Sequence, residues 1–347
     1  MSRTTPPRPL DIEALFPELA AHRGTTTRLH PRPGAPDVTV SSVGGPLLWP
    51  ADEPWPVCGE THGRGRGRRP ADIHRYREVL AEALARDPDS GPTEDERRLL
   101  DELGRDHVVD RIGDTDPLPM VALAQLYRHE VPDLPAGPEG CDLLQVLCCP
   151  FDRHGPTGHG MALELRWRRS AEVREILTAP PQPEVVGYEG YVAEPCVLHP
   201  ERVTTYPFAG VLPEELCARL DAWEEEAEAA AEDDTDDTDD TGGPPAYQYD
   251  LSIPPGWRAG GFASWHATDP YPMDCTACAT PMVLLITIDS SEWDGGSRSW
   301  IPVEDRPRQG SHLESATPTK VTVGRWGELN IFVCPAEPTH PHRWSIQ

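Results

Sequence analysis

Positive charge is what this 347-residue chain is shortest of: 31 Lys and Arg stand against 58 Asp and Glu, a formal charge of −27. Phosphate binding needs clustered Lys and Arg, so this balance excludes nucleic acid and anionic membrane surfaces as expected partners. A basic protein partner stays open. No stretch approaches the ~20 apolar residues of a membrane span. Met1–Pro9 is polar, with two arginines and three prolines, and no apolar run follows it. The expectation is a cytoplasmic protein without a signal peptide. Catalytic signatures are missing too: there is no Gly-x-Ser-x-Gly elbow, no His-Glu-x-x-His and no Gly-x-x-x-x-Gly-Lys. Asp289-Ser290-Ser291-Glu292, His312 and Glu314 fall in no catalytic pattern.

Proline and glycine are abundant, 41 and 29, in a chain that is 37% hydrophobic. That composition describes a folded protein rich in turns. Apolar periodicity places helices at 10–22 (interrupted near Pro17), 71–86, 93–105, 171–177 and 212–230. Thr93 and Glu96 form a helix-start pair. Strands are expected at 38–42, 120–127, 142–148, 161–167, 283–288, 320–323 and 329–334. Glu224–Asp240 carries eleven acidic residues and no basic one, and 235–243 should be a solvated loop. The glycines at 63, 65 and 67, spaced by arginines, read as a flexible loop.

The chain also repeats itself. Displaced by 216 residues, Gly44-Gly45, Trp49, Pro54 and Pro56 fall on Gly260-Gly261, Trp265, Pro270 and Pro272. Pro119-Met120 and Pro281-Met282 each open a strand. LLQVLCCP answers LNIFVCP, both ending in Cys-Pro (Cys149-Pro150 and Cys334-Pro335). The implied architecture is α+β: two β-rich pseudo-symmetric repeats with peripheral helices and a helical insertion in the first. The segments are an N-terminal arm and short helix (1–37), a first repeat (38–210) with the insertion at 60–116, a helix and acidic loop (211–245) and a second repeat (246–347). Trp49 and Trp265 read as packing residues.

Nine cysteines, an odd number, do not suit a secreted disulfide framework. Cys275-Thr-Ala-Cys278 is a knuckle that presents two thiolates to a tetrahedral zinc ion. Cys334, at the end of the next apolar strand, and His340 or His342 could complete the set. The first repeat carries Cys58, His62, Cys149 and His154 at corresponding places. Two structural zinc sites are therefore expected, while Cys141, Cys148, Cys196 and Cys217 read as structural thiols. The weaker alternative is a metal-dependent or cysteine-based hydrolase using the same residues.

The segments VGGPLLWPADEPWP (43–56), PMVALAQLY (119–127), DLLQVLCCPFD (142–152), GWRAGGFASW (256–265), CTACATPMVLLITIDSSEW (275–293) and GELNIFVCP (327–335) resemble the YwqG-like family of bacterial proteins of unassigned function. The preference for Arg, Ala, Pro and Gly over Lys and Ile resembles an actinobacterial version. The resemblance implies a cytosolic α+β fold of two related repeats. It carries no catalytic residues with it, and it admits a binding role, including that of a toxin-neutralising, immunity-like protein.

Overall fold

The computed structural model describes residues 2–87, 90–155, 158, 160–233, 243–306 and 316–347. Most of the acidic loop expected at 235–243, together with His312 and Glu314, lies outside them. Among the described residues the fold is mixed α+β. Its helices are α1 (Ile12–Leu15), α2 (Pro70–Arg86), α3 (Glu94–Leu103) and α4 (Glu214–Asp233). The early strands are β1 (Gly24–Arg28), β2 (Arg32–Pro33), β3 (Ser42–Val43), β4 (Val57–Cys58), β5 (Arg66–Gly67), β6 (His107–Val108), β7 (Leu118–Pro119) and β8 (Val121–Tyr127). They are followed by β9 (Leu143–Cys148), β10 (Leu163–Arg168), β11 (Cys196–Val197), β12 (Glu201–Thr205), β13 (Arg258–Ala259), β14 (Val283–Asp289), β15 (Glu328–Val333) and β16 (Arg343–Ile346).

Two six-stranded antiparallel sheets dominate, in the orders β12-β1-β13-β14-β15-β16 and β10-β9-β8-β3-β11-β2. They share one apolar core. Leu29, Ile286, Ile288, Leu329 and Ile331 of the first sheet meet Val43, Leu126, Leu144, Val146 and Cys148 of the second. Burying such side chains stabilises by about 1.5–3 kcal/mol each.

The two sheets share several local features. Gly44 and Gly260 both have positive φ (59° and 66°), where an L side chain is disfavoured. The Gly44 amide donates to Leu123 O, and the Gly260 amide to Leu285 O. Register irregularities fall between Ala122 and Ala124 and between Leu284 and Ile286. Gln145 joins Gln125 across the strands and donates to Leu48 O at 3.0 Å. In the other sheet Thr287 joins Asn330, whose amide donates to Ser264 O at 3.3 Å. Trp49 is fully buried beneath the Arg168 guanidinium, 4.1 Å from its ring centre, and Trp265 packs on Phe332.

The sheets also cut across the expected segment boundaries. β1, from the expected N-terminal arm, and β12, from the expected first repeat, both pair into the sheet built by residues 258–346. Among the described residues, besides seven two-residue strands, three longer ones escaped the sequence reading: β1 and β12, whose polar residues break the apolar alternation, and β16, which is only four residues long. One polar row, Glu201, Arg28, Arg258, Thr287, Asn330 and Ser345, crosses all six strands. Most of this row is buried, which apolar patterning cannot anticipate.

Other expectations need correction. The helix at 171–177 is only a single turn at Ser170–Glu172. Downstream of it the backbone is claimed by the Trp49 segment: Ala51 N donates to Glu175 O, and Leu177 N to Trp49 O. Residues 320–323 form no strand, since Lys320 sits at φ 53° and only Val323 bridges, to Gly327. At 38–42 the Asp37 carboxylate caps a turn through Thr39, so pairing starts only at Ser42. The two helices expected at 71–86 and 93–105 are present. Pro70 opens α2 and the Thr93–Glu96 capping box opens α3, and the two are joined by Arg86–Glu96.

Candidate metal centres

One residue beyond β9 and one beyond β15 stands a buried cysteine, Cys149 or Cys334, and each meets three more donor groups. In the first centre, Cys58 is delivered by β4, which is pinned by pairing to β7. His62 follows on the ensuing turn, Cys149 stands just beyond β9, and His154 lies in a loop closed by a bridge to Gly160. All four are buried, and their ligand atoms lie within 4.8 Å of one another. His62 Nε2 is 3.5 Å from Cys58 Sγ and 3.4 Å from Cys149 Sγ, and His154 Nε2 is 4.0 Å from Cys58 Sγ.

Those spacings suit the ion. Zn–S bonds of about 2.3 Å and Zn–N bonds of about 2.0–2.1 Å give a tetrahedron with edges of about 3.3–3.8 Å. The outer hydrogen bonds fit as well. His154 Nδ1 pairs with the Glu60 carboxylate at 3.0 Å, and His62 Nδ1 donates to Gly63 O at 3.2 Å. Each ring thus turns a bare Nε2 toward the thiols, the arrangement that orients metal-binding histidines. The hydrogen bond between the two cysteines pushes the Cys58 thiol down to about 3, and Cys149, which keeps the shared proton, is pushed up. Two thiolates and two neutral imidazoles cancel the charge of a divalent ion, which suits a fully buried site.

Arg64 organises this loop, a role the sequence did not disclose. It is 0% exposed, and its guanidinium donates to the carbonyls of Cys58, His62, Glu60 and Asp116. The Gly63–Arg69 stretch is therefore not the flexible loop its composition suggested. Arg66 and Gly67 form β5, and a Cβ at Gly67 would lie 2.1 Å from Val186 O. The one available signal was an arginine two residues after a candidate ligand.

The second centre brings together Cys275, Cys278, Cys334 and His340, again within 4.8 Å. His340 Nδ1 is 3.4 Å from Cys275 Sγ, and the sulfurs of Cys278 and Cys334 are 3.5 Å apart, unbonded. Of the two histidines proposed from sequence, His340 joins the cluster and His342 does not. The knuckle is closed by Cys275 N to Thr280 O and Ala279 N to Cys275 O. Ala279 carries the turn at φ 57°, a conformation that favours glycine. Three thiolates would leave this site with one negative charge, and it is the more open one, with Cys278 exposed. The Thr280 hydroxyl and amide hold the Cys278 thiol down at about 6.

Of the remaining cysteines, Cys148 and Cys196 are buried in the main core, as their apolar settings implied. Cys141 and Cys217 are half-buried, and Cys217 donates to Asp221. No helix among the described residues is long and apolar enough to cross a membrane. No family model matches this chain, and no curated protein matches it, so the likeness to the YwqG-like family rests on the quoted segments alone.

Proposed function

We propose that this protein is a non-catalytic, cytoplasmic binding module of two related halves, each stapled by one structural zinc ion. The observation that carries this reading is the pair of four-residue Cys/His sets at corresponding places beside the two sheets. Four protein donors close the coordination shell of zinc, whereas a catalytic ion keeps one position for water. The donor chemistry, soft thiolate with imidazole at tetrahedral spacing, favours zinc over oxygen-loving cations. Loops rich in proline and glycine bury little surface, so metal binding would supply folding free energy to them directly. Nine free thiols favour a reducing compartment.

Elemental analysis of protein purified without chelator tests the proposal. Two zinc ions per chain are expected, falling to one in Cys149→Ala and one in Cys334→Ala. Metal-free protein that is fully folded would overturn it.

A further inference from the structure

Beside the polar row of the first sheet, two residues further along β14 and β15, lies a cavity of about 390 Å³. Its floor is a pair of carboxylates, Asp289 on β14 and Glu328 on β15, directly opposite each other in the register. Like charges placed so are normally destabilising. The Arg258 guanidinium leans toward Glu328, at 3.6 Å. Asp289 receives only backbone amides, from Gly256 at 2.8 Å and Ser291 at 3.1 Å. The Arg258 charge is felt by Asp289 at a distance, but among the described residues no cation lies within ion-pair range of it. Burial, and then the facing Glu328, push its carboxyl up to about 7. A third carboxylate, Asp294, lines the cavity, together with the basic side chains of Arg325 and His266.

The wall carries other marks of a site. Gln248 and Tyr249 are presented by a single π-helical turn, Tyr247–Ser252, a rare conformation that recurs at functional sites. The Gln248 amide nitrogen is buried and has no hydrogen-bond partner, although its oxygen is engaged by the Ala209 amide. At the lip Trp326 is 68% exposed and held at φ 66°, in the tight Val323–Gly327 turn. Left-handed backbone costs a bulky residue about 1–2 kcal/mol, so an exposed tryptophan there is not explained by folding. Tyr249, 52% exposed, lies parallel to the His266 ring across the same opening.

We propose that this cavity binds a small organic cation, a protonated amine or guanidinium that also carries an oxygen acceptor. The positive group sits against Asp289 and Glu328 and under the aromatic lip, where ring faces attract cations. The oxygen receives the orphaned Gln248 amide proton. This names a ligand class for the binding module proposed above, but no metal ligand lines the cavity, so it stands apart from the zinc sites.

Calorimetric titration with L-argininamide, which carries cationic groups and an amide oxygen, is the test. The neutral control is Nα-acetyl-L-citrullinamide, in which a urea replaces the guanidinium and acetylation removes the ammonium, so that no cation is left. Zinc content is measured on the same samples, so that failure of the staples and failure of the pocket are read separately. Saturable argininamide binding with Kd of about 1 mM or tighter is expected, with the acetylated citrullinamide at least about tenfold weaker. Asp289→Asn should weaken binding at least about tenfold, as expected for loss of a charged partner. Trp326→Gly, which suits the left-handed turn and keeps the fold, should weaken it about two- to fivefold. No saturable heat up to about 20 mM argininamide would overturn the proposal. So would equal binding of the acetylated citrullinamide, or Trp326→Gly binding as tightly as the parent.

Discussion

Replacing Arg64 by methionine should strip zinc selectively from the first centre. The guanidinium is fully buried and donates to four carbonyls, three of them on Cys58–His62, the loop that delivers two of the four ligands. The bonds to His62 O (3.4 Å) and Cys58 O (3.2 Å) are long and contribute little. Those to Glu60 O and Asp116 O are the close ones. Hydrogen bonds to a charged group are worth about 1.5–3 kcal/mol each. Two of them sum to about 3–6 kcal/mol, and the lower end applies once the freed carbonyls turn to water. A loss of about 3 kcal/mol is roughly a hundredfold in zinc affinity. That is the upper end of the 10- to 100-fold range typical of outer-shell partners. Competition against a chromophoric chelator measures it, with the second centre as internal reference. Arg64→Met retaining both ions at parental affinity would refute the assignment of Arg64 as the organiser of the loop. Equal loss from both centres would show general unfolding instead.

Three further outcomes are expected. Ala279→Gly should stabilise the Cys275–Thr280 knuckle by about 1 kcal/mol by relieving its left-handed residue, and slow zinc loss from that centre about fivefold in a stopped-flow chelator assay. A brief pulse of iodoacetamide should alkylate Cys278 first and release one zinc ion, because Cys278 alone among the eight ligands is exposed; peptide mapping that finds Cys58 or Cys149 modified equally fast would contradict this. Although burial opposes its ionisation, hydrogen bonds from His74 and Arg77 hold Glu194 at about 2. Its folded pKa is depressed, so the stabilisation is complete above the usual glutamate range near 4.5 and is lost as pH falls toward 2. The partners sit on α2, so Glu194→Gln should remove about 2–3 kcal/mol at neutral pH and flatten the acid limb of a circular-dichroism titration.

Both four-residue Cys/His sets were legible because zinc chemistry constrains residue type and spacing. Cys275-x-x-Cys278 announces a knuckle, and matching it to the other half singled out Cys58 and Cys149. The choice between His340 and His342 was not legible, since two histidines two residues apart in a proline-rich tail carry no period that separates them. The apolar strands β8, β9, β14 and β15 could be read from their runs of Val, Leu and Ile. β1, whose residues are Gly-Thr-Thr-Thr-Arg, could not, because it is held by a buried polar row instead of an apolar face. Asp289 and Glu328 escaped for a related reason. They lie 39 positions apart, and only the β14–β15 pairing makes them neighbours.

The place of β1 in its sheet bears on how the chain is made. Thr27 pairs with Arg202 on β12 only when residues 201–205 exist, and with Ala259 on β13 about 230 residues after it has itself been synthesised. At about 5–20 residues per second that is a wait of roughly 10–50 s with an exposed strand edge on the nascent chain. The strand's composition fits such a wait. Three threonines and an arginine offer little to a stray partner, where a run of Val and Ile would invite aggregation. Its polarity keeps the strand soluble during synthesis, and the first sheet closes only once β13–β16 have been made.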